Sequence, residues 1–202
     1  MDIDGIILFG DSVFAGVGAS HRSHGCGKII KSLLGFPVLI NARNLDTTQD
    51  AIAKIKNVVS EHYTYSHVII LFGNNDCKLI DYDKPIVSLE QYKNNLSSII
   101  KQIITNNKIP IISNLQPIDE KLFYKTLPNV AAYMKKINSA YEWQKRYSDA
   151  CEEVAKVEKI NLIDIRSKLK ENSDAMAKDG LHPNDLGHRI IAEQILEGLQ
   201  IK

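Results

Sequence analysis

Short apolar runs alternate with longer amphipathic stretches along the whole chain. The runs Ile6 to Phe9, Val38 to Ala42, Val68 to Phe72, Pro110 to Ser113 and Asn161 to Ile165 are rich in β-branched residues and too short for helices. Continuous apolar character, without strict alternation, is what a strand buried on both faces needs, so these segments predict five buried strands. Between them the apolar positions switch to a helical period. One predicted helix starts near Asp46 or Thr47 and gathers Ala51, Ile52, Ile55, Val58 and Val59 on one face. Another opens at Ser88, with Gln91 three places on as a capping box, and runs through Leu96, Ile99, Ile100 and Ile103. A last helix is expected from about Asp185 to Leu199. This alternation builds βαβ units, hence an α/β fold with a parallel sheet and helices on both faces.

In open parallel sheets the ligand crevice lies beyond the carboxyl ends of the strands, which directs attention to four segments. They are Gly10-Asp11-Ser12, Arg43-Asn44-Leu45-Asp46, Gly73-Asn74-Asn75-Asp76 and Asn114-Leu115-Gln116-Pro117. Ser12 follows its strand directly and enters a Gly-rich stretch, so its hydroxyl is expected at the top of the sheet. A serine hydroxyl needs a base to take its proton, and the base needs a group to orient it. Asp179 and His182 supply both, three apart in a Gly- and Pro-containing loop just before the last helix. Acyl transfer also needs donors aimed at the oxyanion, and Asn75, the N–H of Ser12 and a backbone N–H from Asn44 or Leu45 are the candidates. Gly10, Asp11, Gly73 and Asp76 read as loop support, the two carboxylates by accepting backbone N–H bonds.

Composition narrows the partners. The 202 residues carry 25 Lys and Arg against 24 Asp and Glu, so no basic field exists for nucleic acid or anionic lipid. No apolar run has the length of a membrane span, and a small molecule is the expected partner. The length fits one domain over 1–202. Met1 to Gly10 has no basic region, which points to a cytoplasmic protein. Cys26, Cys77 and Cys151 are odd in number and widely spaced, so they read as reduced and structural. His21, His24 and Cys26 lack a second Cys/His pair and are assigned to a solvated loop without metal.

Taken together in order, these segments resemble the blocks of the SGNH (GDSL-type) hydrolases, a family named for a Ser, a Gly, an Asn and a His. Gly10-Asp11-Ser12 matches the first block, Gly73-Asn74-Asn75-Asp76 the third and Asp179-Gly180-Leu181-His182-Pro183 the fifth. The second block departs from the pattern: its Gly is missing, although the Asp46-Thr47-Thr48 that commonly follows it is present. The resemblance implies a three-layer α/β/α, flavodoxin-like fold with a five-stranded parallel sheet. It also implies hydrolysis of an ester or thioester through a covalent acyl-enzyme, with no metal or organic cofactor. An acyltransferase using the same site, and a binding module with an altered oxyanion hole, are the alternatives. The walls of the pocket are expected from loops 13–27, 77–87 and 115–130. Phe123 and Tyr124 are candidates to line it, while Tyr133, Tyr141, Trp143 and Tyr147 are assigned mainly to the core.

Overall fold

The computed structural model describes residues 3–81, 83–126, 128, 137 and 139–200. In chain order the elements are β1 (Ile6–Gly10), α1 (Cys26–Leu33), β2 (Val38–Ala42), α2 (Thr48–Glu61) and β3 (His67–Leu71). A small hairpin, β4 (Leu79–Asp81) with β5 (Lys84–Pro85), precedes α3 (Leu89–Thr105), β6 (Ile109–Ser113) and α4 (Glu120–Thr126). The chain then forms α5 (Ala140–Glu158), β7 (Asn161–Ile163), α6 (Ile165–Lys170) and α7 (Asp185–Gly198). The main sheet has five parallel strands in the order β2-β1-β3-β6-β7, the flavodoxin-like arrangement. Strand order reverses between β1 and β3, where Ile6 pairs with His67 and Gly10 with Leu71. That is where a crevice opens above the sheet.

Both faces of the central strands are covered. Ile7 and Phe9 of β1 and Val68 and Ile70 of β3 pack with α2, α3 and α5 on one side. Their neighbours Ile6, Leu8, Ile69 and Leu71 pack with α1, α6 and α7 on the other. Every residue of β1 and β3 is buried, so the continuous apolar runs reflect a two-sided core, not a half-exposed strand.

The fifth strand is shorter than its apolar run predicts. It stops at Ile163 because Asp164 accepts the N–H of Ser167 at 3.0 Å and caps α6. Asn161 and Leu162 are exposed there, since β7 is an edge strand without a full covering layer. The helix starts are closer to expectation. Thr47 caps α2 and forms a complete capping box with Asp50. Ser88 caps α3 by accepting from the Gln91 N–H, but the Gln91 side chain donates to Asn95 at 2.6 Å, so that box is only half made. Among the described residues no helix is long and apolar enough to cross a membrane.

Candidate active site

Ser12 stands immediately after β1, and its loop approaches the loop that carries His182. The approach depends on Gly18, at φ +96°, where a Cβ would lie 2.2 Å from the Pro183 carbonyl oxygen. Ser12 Oγ lies 3.0 Å from His182 Nε2, and His182 Nδ1 lies 2.6 Å from Asp179 Oδ2. An ionised carboxylate only accepts, so Nδ1 carries the proton and Nε2 is left to accept from the serine hydroxyl. Asp179 Oδ1 also accepts the N–H groups of Leu181 at 2.9 Å and His182 at 3.0 Å. Partial burial pushes the Asp179 carboxyl up, but the bonds from the ring and the two N–H groups outweigh it and lower it to about 2. It is therefore an anion throughout the working range of a histidine base.

Ser12 and His182 open into a cleft of about 390 Å³, with Asp179 behind the histidine ring. Ser12, Asn44, Leu45 and Asn75 all border it. One N–H of the Asn75 amide donates to the Asp46 carbonyl at 2.9 Å, which fixes the side chain at the cleft wall. The Arg43–Asp46 turn carries an unexpected feature: Leu45 adopts φ +69° and is 73% exposed. It stands directly before Asp46-Thr47-Thr48, in the conformation that glycine favours.

A model of the GDSL-like Lipase/Acylhydrolase family matches residues 8–190. The chain belongs to that family. As a member it is a hydrolase that acts on esters. Its relatives include the uncharacterized lipoprotein YqeF of Bacillus subtilis, 26% identical, covering 96% of this chain and 88% of that protein. A GDSL esterase/lipase of rice, WDL1, is 28% identical over 67% of the chain, which spans about half (54%) of that relative. A catalytic mutant of Axe2, an acetylxylan esterase from Geobacillus stearothermophilus, shares the fold with a TM-score of 0.77 at 17% identity, over 98% of this chain and 95% of that one.

The remaining residues of the GDSL blocks act as supports. Gly10 leaves room that a Cβ would close, 2.7 Å from the Leu71 carbonyl and from Phe14. Gly73 adopts φ +141° beneath the Tyr92 hydroxyl. Asp11, wholly buried, accepts the Val13 N–H at 3.0 Å and an N–H of Asn74 at 3.2 Å. Asp76 accepts the Thr48 N–H at 3.0 Å together with its hydroxyl, tying the end of β3 to the start of α2. Burial raises both carboxyls to about 6 despite these bonds. Both aspartates thus hold loops, as their motif positions suggest.

Side chains from all three expected loops line the cleft: Val17, Cys77 with Lys78, and Ile118 with Phe123. Tyr124 is not among them, because its hydroxyl binds Glu120 at 3.0 Å and accepts the Ala140 N–H at 2.9 Å. Trp143 and Tyr147 are buried, donating to the carbonyls of Cys77 and Val87, whereas Tyr141 stacks under the Arg166 guanidinium at 4.7 Å. Tyr133 lies outside the described residues. The solvated loop assigned to His21, His24 and Cys26 is only partly solvated. His24 lies 2.9 Å from Asp185 and His21 caps a short 3-10 turn, but Cys26 is buried at the start of α1. All three cysteines are buried and unpaired, and burial pushes the Cys26 and Cys151 thiols up to about 12. Gln116 and Leu181 also border the cleft, as the segment after β6 and the Asp179–Pro183 block lead one to expect, but the sequence assigned neither a role, since what matters is which distant groups they meet.

Proposed function

We propose that the protein cleaves carboxylic esters through an acyl-enzyme, with Ser12 as nucleophile, His182 as general base and Asp179 as the group that orients it. The observation that carries this reading is the continuous pair of bonds Ser12–His182–Asp179 at 3.0 and 2.6 Å. His182 takes the hydroxyl proton as Ser12 attacks the carbonyl, gives it to the leaving alcohol, and then activates the water that frees the acid. The second Asn75 N–H and the N–H of Ser12 receive the oxyanion. The N–H of Leu45 is the third donor: that residue stands directly before Asp46-Thr47-Thr48, where the second-block Gly is missing, and adopts a left-handed conformation that glycine favours. A backbone donor needs that geometry, not a glycine side chain.

The acyl group lies against Val17, Leu45, Ile118, Phe123 and Leu181, an apolar wall suited to a small or medium hydrocarbon chain. A series of p-nitrophenyl esters of increasing acyl length, run on wild type and Ser12→Ala, tests the reading. Activity that climbs from acetate to a medium chain and disappears in Ser12→Ala is expected. Turnover that survives in Ser12→Ala contradicts the nucleophile, and a preference for charged acyl groups contradicts the pocket.

A further inference from the structure

Beneath the cleft lies a run of side-chain amides that none of the family blocks contains as a unit. Arg166, on α6 and 6% exposed, donates from Nη1 to Gln144 Oε1 at 2.7 Å. Gln144 Nε2 donates to Asn74 Oδ1 at 3.1 Å, and Asn74 Nδ2 donates to Asp11 Oδ2 at 3.2 Å. The other hydrogen of Asn74 Nδ2 goes to Gln116 Oε1, also at 3.2 Å, and Gln116 Nε2 donates to the Leu181 carbonyl at 3.0 Å. Gln116 and Gln144 are wholly buried.

The direction of every bond in this run is fixed by its ends. A guanidinium can only donate, and the Asp11 carboxyl, raised to about 6 by burial, only accepts above that pH, so each amide between them must turn its oxygen toward Arg166 and its nitrogen toward Asp11. The branch through Gln116 inherits the same polarity and must present N–H groups to Leu181. Chains polarised in one direction strengthen one another in a low-dielectric interior. Three residues of this run are chemically placed: Asp11 precedes Ser12, Asn74 precedes Asn75, and Leu181 precedes His182.

We infer that Gln116 is a positioning residue, joining the Asp11–Asn74 pair to the Leu181 carbonyl so that nucleophile, oxyanion donor and base keep one register. This rests on the assignment of Ser12 and His182 given above. Proximity effects are steep, and a displacement of about 1 Å at a reacting pair can cost about a hundredfold in rate. Gln116 is the member of the run that reaches the histidine loop, so its loss removes the tie between that loop and the Asp11–Asn74 pair, while the loop's other bonds, such as Asp119 N–H to the Gly180 carbonyl at 2.8 Å, and Ser12, His182 and Asp179 remain.

The rate at which a fluorophosphonate labels Ser12, followed by intact mass, tests this without knowledge of the natural substrate. Gln116→Met keeps the volume and loses both bonds; it should be labelled about tenfold or more slowly than wild type, with His182 and Asp179 unchanged. Gln116→Glu is the sharper variant. Its ionised form accepts from Asn74 but has nothing to give Leu181, whereas its protonated form donates one O–H there. The charges around that site are Asp11 beyond Asn74, Arg166 beyond Gln144, and His182 beyond Leu181. Labelling of Gln116→Glu, taken as a ratio to wild type, should therefore rise as pH falls from 8.5 to 7, a window above the Asp11 value of about 6 in which that carboxyl stays ionised in wild type, and a change that a uniformly weakened fold does not produce. Both variants labelled within twofold of wild type at both pH values, with Ser12 labelled in all three, would overturn the relay alone. A wild type not labelled at Ser12 would overturn the nucleophile and the relay with it.

Discussion

The two sides of the cleft are built by different means. On one side Ser12 and His182 are gripped by buried and part-buried contacts: Asp11 accepts from Val13 and Asn74, Gly18 lies under Pro183, and Asp179 takes three N–H groups from one short loop. On the other side the Arg43–Asp46 turn is exposed at Leu45, and what the proposed mechanism asks of it is a main-chain N–H. Side-chain chemistry needs particular residues at particular places. Main-chain chemistry needs a conformation, which several residue types can supply at some strain. The difference predicts that substitutions on the first side are severe and those on the second are mild.

The largest effect short of removing the nucleophile or base should come from Asp179→Asn. The amide can hold the wrong imidazole tautomer and cannot support the imidazolium, and in comparable triads such a change lowers kcat by about 10⁴. Steady-state kinetics on a p-nitrophenyl ester gives the answer, and a loss of less than tenfold would mean that Asp179 only shapes the loop. Next comes Asn75→Ala, which removes one oxyanion donor and should lower kcat by about 10² to 10³ with KM little changed. An unchanged kcat would show that the amide serves only to anchor Asp46.

Leu45 should show the milder side. A non-glycine residue in the left-handed region carries strain of about 1 to 2 kcal/mol, and the extra chain entropy of glycine offsets about 0.5 to 1 kcal/mol of its relief. Leu45→Gly should therefore leave kcat within about threefold and the melting temperature within a few degrees, because the N–H stays in place. A large fall in kcat would show that the leucine side chain, not its backbone, carries the contribution.

The smallest expected effect is in stability against pH. Asp179 has its folded value lowered to about 2, below the ordinary 3.8, so the unfolded chain binds more protons there and stability is lost as pH falls from about 4 to about 2. Asp76 has its folded value raised to about 6, so the folded state holds the extra proton and stability declines as pH rises from about 4 to about 6. Thermal melts of Asp76→Asn should show a shallower decline over that upper window than wild type. An identical slope would remove Asp76 as its source.

What the sequence disclosed follows the same division. The strands of the two-sided core were legible because burial on both faces leaves an unbroken apolar run, as in Ile6 to Phe9. The candidate residues were legible because side-chain chemistry requires particular residue types: Ser12 and Asn75 follow β1 and β3, and Asp179 and His182 stand three apart in the loop before α7. β7 was overread because Ile165 belongs to the helix that Asp164 caps, and an apolar residue carries no mark of the change. Gln116 had no visible role because its partners lie 42 and 65 residues away, at Asn74 and Leu181. Leu45 and Asn44 were left as alternatives because a backbone donor leaves no signature in the side chain.

The central claim is that Ser12 and His182 form one catalytic unit, and a double-mutant kinetic cycle tests it most directly. Groups that act together are strongly non-additive, so Ser12→Ala/His182→Ala should be scarcely slower than either single variant, all three retaining only what the oxyanion donors and binding provide. Losses that multiply between the two positions would contradict the account, since they would mean that the serine and the histidine act independently despite the 3.0 Å between Oγ and Nε2.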